Sequence, residues 1–79
     1  MPTLLFINGL RFFFYSNENN EPPHVHIIKA GSFGKIWLEP VIEVVYLNGF
    51  TRNEIKDILQ IVHVNCIVFK NKWNEHFSK

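Results

Sequence analysis

Pro22-Pro23-His24-Val25-His26 places two imidazoles two residues apart, where a turn runs into a strand. Successive side chains on a strand point to opposite faces, so His24 and His26 are expected on one face and Val25 on the other. Imidazole can donate a proton, accept one or bind a metal near neutral pH. Three readings follow. As ordinary strand-end residues, the rings hydrogen-bond loop backbone or the carboxylates of Glu18 or Glu21 and specify the turn. As metal ligands, they supply two of the three or four that zinc requires, with Glu21, Glu39, His63 or His76 as completions. No His, Asp or Glu at helical i,i+4 spacing offers an obvious further ligand, so neither a metal nor another cofactor is expected. As a catalytic pair, they act as general base and acid on an RNA 2′-hydroxyl, with Arg11, Lys29 or Lys35 steadying phosphate. The strand-end reading is the plainest, and all three stay open at this level.

The elements that must position this pair are legible in outline. Thr3 to Ile7 and Leu10 to Tyr15 flank Asn8-Gly9, the dipeptide that favours the tightest hairpin turn, so a β-hairpin is expected. Ser16 to Glu21 is polar loop, and the two prolines after it cannot donate to a ladder. β-branched residues return from His24 to Lys29, Ala30 to Gly34 reads as a turn, and Lys35 to Leu38 reads as a strand. Pro40 breaks that strand or places it at an edge. Val41 to Leu47 alternates weakly, with Val44 and Tyr46 expected inward, before Asn48-Gly49.

The helix signal is the strongest in the chain. Thr51-Arg52-Asn53-Glu54 fits a capping box, Phe50 can staple onto Ile55, and the helix is expected to start at Arg52. Apolar residues then recur at Ile55, Ile58, Leu59, Val62, Cys66, Phe69, Trp73 and Phe77, which keeps one stripe on one face. Unbroken to His76, this helix spans about 25 residues, roughly 38 Å. The β-branched run from Ile61 to Phe69 could form a strand on propensity alone, but the spacing favours helix, with any bend near His63 to Asn65. The expected fold is α+β: a small antiparallel sheet of three to four strands covered on one face by a long C-terminal helix, with residues 1–79 forming one domain. Phe6, Phe12, Phe14, Ile27, Ile36 and Leu38 are the expected partners of the helical stripe.

Composition narrows the function. At 79 residues the chain buries only about 60% of the surface its unfolded form exposes, so its core is thin. Apolar residues make up 47%, enough for one core and too much for a disordered segment. A formal net charge of +1 supplies no long-range field toward nucleic acid or membrane, so any such contact comes from a local patch. One cysteine, Cys66, forbids an intrachain disulfide and suits a reducing cytoplasm. The N-terminal apolar run is too short for a signal or a membrane span. Trp37 and Trp73 could stack on bases, yet their positions make them core anchors. Glu39 is either a carboxylate near the imidazoles or simply exposed. Asn65 reads as a helix-edge hydrogen-bonding residue, and Cys66 as a small buried thiol.

Taken together, Met1-Pro2-Thr3, Phe14-Tyr15-Ser16-Asn17-Glu18, Glu21-Pro22-Pro23-His24-Val25-His26-Ile27, Lys35-Ile36-Trp37-Leu38-Glu39-Pro40-Val41, Gly49-Phe50 and Trp73-Asn74-Glu75-His76-Phe77 resemble the small bacterial domain of unknown function 4160. The resemblance covers nearly the whole chain. Many members carry an acidic residue and a His shortly before the two prolines; here that His is missing, and Asn19 or Asn20 stands near its place. The resemblance implies a gene lying beside one for a second small domain of unknown function, number 2442, in an arrangement like that of a toxin and its antitoxin.

Two functions are therefore expected. The first is a subunit of such a two-gene module, its toxin, whose sheet edge or helix docks a small cognate protein. The alternative is a small ribonuclease or other hydrolase using His24 and His26, supported by Glu18, Glu21, Glu39, Arg11 and Lys35. Near-neutral charge and the lack of a complete triad, metal set or phosphate loop favour the first. RNA is a weaker expected partner, a membrane is not expected, and an edge strand with many aromatics makes self-association plausible.

Overall fold

The computed structural model describes residues 3–15 and 20–77. Five strands and one helix follow in order: β1 (Thr3–Ile7), β2 (Leu10–Phe13), β3 (His24–Lys29), β4 (Ser32–Trp37), β5 (Glu43–Asn48) and α1 (Arg52–Phe77). Every strand pairs antiparallel with its neighbour in sequence, giving one sheet of order β1-β2-β3-β4-β5. The fold is α+β as expected, with one or two strands more than anticipated. The additional pairing comes from β5 and from an early start to β4, where Ser32 and Phe33 join the ladder rather than the turn. The turn itself shrinks to Ala30-Gly31, with Ala30 at φ 52°.

Local chemistry accounts for the anchor points. Asn8 and Gly9 both take positive φ, 54° and 78°, the geometry a two-residue hairpin with right-handed strand twist requires. Gly34 lies where β4 and β5 approach closely, because a Cβ there would meet the Tyr46 carbonyl oxygen at 2.9 Å. At the helix start, the Thr51 amide donates to Glu54 Oε1 at 2.9 Å and the Glu54 amide donates to Thr51 Oγ1 at 3.1 Å. That is the expected capping box. Lys29 Nζ bonds Glu54 Oε2 at 2.8 Å, tying the end of β3 to the first helical turn. The β-branched run stays helical, and Asn65 and His63 fold back, Asn65 Nδ2 donating to the Ile61 carbonyl and His63 Nδ1 bonding that of Leu59.

The helix packs its expected stripe onto one sheet face. Ile58, Val62, Phe69 and Trp73 are buried, with Leu59 and Cys66 partly buried against the same core. Facing them are Leu10, Phe12, Val25, Ile27, Ile36 and Leu38, and Phe12 stacks on Phe69 with ring centroids 5.8 Å apart. Phe14 meets Trp73 edge-on.

Three inward assignments are corrected. Phe6 is 70% exposed, because its register partner is Arg11, on the face the helix leaves bare. Val44 and Tyr46 are not core residues either, at 40% and 36% exposed. A bulge in the β4/β5 register puts Val44 opposite Ile36 and Tyr46 opposite Lys35, so the two lie on opposite faces of an edge strand.

Two consequences can be measured. Trp73→Ala removes a buried ring and is expected to cost about 3–5 kcal/mol in urea unfolding; a midpoint unchanged from wild type would place Trp73 outside the core. The Lys29 ammonium and the Thr51 amide, in that order, bond the Glu54 carboxylate and hold its pKa below the ordinary value of 4.5. A group with a depressed folded pKa stabilises above its unfolded pKa and loses that contribution as pH falls through the folded one. Glu54→Gln should therefore flatten the acid limb of the stability profile, and an unchanged limb would remove the Lys29 bond from the account.

Candidate functional site

Pro22-Pro23 sets the position of the imidazole pair. The prolines carry no amide hydrogen, but their carbonyls accept: Leu38 N–H donates to the Pro23 carbonyl at 2.9 Å, extending the β3/β4 pairing beyond the strands. His24 Nδ1 lies 2.9 Å from the Pro22 carbonyl oxygen. A carbonyl only accepts, so Nδ1 carries the proton in that bond.

His24 and His26 share a face as the strand period demands, with ring centroids 5.1 Å apart and near-perpendicular planes. Their surroundings differ. His24 is 0% exposed, with its ring 5.3 Å from Trp37 of β4 and 4.9 Å from Trp73 of the helix. His26 is half-buried, stacked on Phe13 at 5.5 Å and edge-on to Tyr15 at 4.9 Å. The pair is thus one imidazole sealed among aromatic rings and one at the rim.

Of the supporting residues, Glu21 and Lys35 gather at the pair. Glu21 Oε1 is 3.7 Å from His24 Nδ1 and accepts a 2.8 Å bond from Lys35 Nζ, which also lies 4.6 Å from the Trp37 ring centre. Arg11 is on the same face, its Nε donating to Thr3 Oγ1 at 2.9 Å and its guanidinium 4.9 Å from the Phe13 ring centre. Lys29 turns instead to Glu54. Glu39 is elsewhere, 3.7 Å from Lys70 of the helix, and Glu18 lies outside the described residues. The other metal completions are also dispersed, His63 on the helix surface and His76 against Phe14 and Phe77. Among the described residues no three His, Cys, Asp or Glu side chains converge on one point. Phe13 and Tyr15 were not anticipated as walls of the pair; their period of two, opposite a strand bearing His at the same period, was the signal available.

Residues 9–74 match a family described as Domain of unknown function (DUF4160). The chain belongs to that family. No curated protein and no solved structure matches it. The DUF4160 match runs from the Asn8-Gly9 turn through most of α1, so it includes both imidazoles, Phe13, Tyr15, Trp37 and Trp73 and leaves β1 outside. Among the described residues no helix is long and apolar enough to cross a membrane.

The environments of the two rings predict unequal roles. His24→Ala empties a closed aromatic site and is expected to cost about 2–4 kcal/mol, whereas His26→Ala at the rim is expected to cost about 1 kcal/mol. Paired urea titrations measure both. Equal costs, or a His24→Ala variant as stable as wild type, would contradict the packing role of His24.

Proposed function

We propose that this protein is the toxin of a two-gene bacterial toxin-antitoxin-like module, acting in the cytoplasm by binding a small cognate protein encoded beside it. The observation that carries the reading is on the helix. Val64 and Ile67 are 75% and 74% exposed and Val68 is 50% exposed, on the side away from the core stripe. Their i, i+3, i+4 spacing makes one aliphatic ridge, the pattern with which a helix fills an apolar groove on a partner. A domain with so thin a core gains nothing by leaving such side chains in water, and a contiguous aliphatic patch on a small chain is an interaction surface. The edge strand β5, with Val44 and Val45 each about two-fifths exposed, adds a second apolar element with unpaired backbone groups.

The hydrolase reading draws less support from the same geometry. A general acid or base must reach the proton it moves, and a fully buried His24 whose Nδ1 proton is committed to a carbonyl offers no such approach. His26 alone is one half of a pair. A free, partly buried Cys66 agrees with a reducing compartment.

Induction of the chain in a bacterial host should arrest growth, co-expression of the adjacent gene should relieve it, and the two products should co-purify as a stoichiometric complex. Ile67→Asp, at an exposed position, should keep the circular dichroism spectrum and weaken the complex by about tenfold or more, as loss of a central apolar anchor does. A complex untouched by Ile67→Asp, or self-association in its place, would overturn the assigned surface; no complex with the adjacent product would overturn the reading.

A further inference from the structure

The exposed apolar residues are sorted by type. Exposed aliphatics lie mainly on the helix and around β5, with Ile7 at the end of β1, whereas the four exposed aromatics among the described residues, Phe6, Tyr15, Phe33 and Tyr46, all belong to the sheet face the helix leaves bare. The register makes this face a grid. One row across five strands reads Phe6, Arg11, Ile28, Phe33, Asn48, and the next reads Thr3, Phe13, His26, Lys35, Tyr46. Both cations in these rows, Arg11 and Lys35, lie over aromatic rings, and neither row contains an Asp or Glu. Two carboxylates also reach this side, Glu43 opposite Trp37 and Glu21, which bonds Lys35 at 2.8 Å, so among the described residues Arg11 is the cation of these rows that no carboxylate engages.

We propose that this face is a binding platform for single-stranded nucleic acid. Phe6 on β1 and Phe33 on β4, with Tyr46 6.0 Å from Phe33, offer ring faces on which unpaired bases stack irrespective of sequence, and Arg11, in the row between Phe6 and Phe33, complements phosphate. Asn48 and Tyr46 supply hydrogen-bonding groups along β5. A protein partner would favour the aliphatic helix ridge, which has neither the rings nor the cations. A duplex, whose bases are already stacked, cannot use the rings. The weak overall charge sets the affinity: a dissociation constant on the order of 10 μM at about 50 mM salt, with a shallow salt slope. This surface is separate from the helix ridge proposed for the cognate protein and meets that reading only at β5.

The test is fluorescence anisotropy with fluorescein-labelled twelve-nucleotide oligouridylate, oligothymidylate and a duplex of equal length. The wild-type chain should bind the single strands and bind the duplex much more weakly. Preference between the two single strands reports whether the 2′-hydroxyl is read. Phe6→Ala/Phe33→Ala, both at exposed positions, should weaken single-strand binding about tenfold with the circular dichroism spectrum unchanged. Arg11→Gln should reduce the salt slope by about one. Ile67→Asp should leave oligonucleotide binding unchanged, which separates failure of this proposal from failure of the helix-ridge reading. No binding of any strand at 100 μM protein, equal binding of duplex and single strand, or an unaltered double variant would overturn the platform. So would a double variant that loses the cognate protein instead.

Discussion

One helix has to cover a five-stranded sheet, and nearly every feature of this molecule follows from that mismatch. The helix closes one face through Ile58, Val62, Phe69 and Trp73 against Leu10, Phe12, Val25, Ile27 and Ile36. With no second helix or sheet among the described residues to seal the other side, residues there shield themselves laterally. Phe13 is 2% exposed on the bare face only because Tyr15, His26 and the Arg11 guanidinium lie against its ring. Such neighbour-by-neighbour cover stabilises buried rings but leaves their outer members in water.

The imidazole pair gains its asymmetry from the same geometry. His26 points into the lateral aromatic layer and remains at its rim. His24, at the first residue of β3, meets both that layer through Trp37 and the end of the helix through Trp73, so it is enclosed from two sides. Its Nδ1–H is absorbed by the Pro22 carbonyl, and the Glu21 carboxylate nearby is shared with Lys35. A ring held by a backbone bond and aromatic contacts orders the Pro-Pro turn. Chemistry at a reacting bond asks for access, which this position lacks.

Sequence patterns reached the features that depend on local chemistry. Asn8-Gly9, the Thr51/Glu54 box, the helical stripe and the shared face of His24 and His26 each arise from residues within a few positions of one another. What escaped depends on pairing between distant segments. The register of β1 turns Phe6 outward, the bulge in β5 separates Val44 from Tyr46, and the Lys70 that claims Glu39 comes from the far end of the helix. Burial of His24 belongs to the same class, since Trp73 is remote in sequence, and no pattern around the two prolines announces it. The exposed ridge of Val64, Ile67 and Val68 lies inside the β-branched run from Ile61 to Phe69, whose composition marks strand propensity rather than a surface.

In the proposed reading the aliphatic ridge of the helix, rather than the imidazole pair, meets the cognate protein. Methyl NMR on isotopically labelled protein, titrated with the product of the adjacent gene, tests it residue by residue. The largest shift changes should fall on the methyls of Val64, Ile67 and Val68, with the ring protons of His24 and His26 unmoved. Unmoved ridge methyls, with changes centred on the two imidazoles, would contradict it.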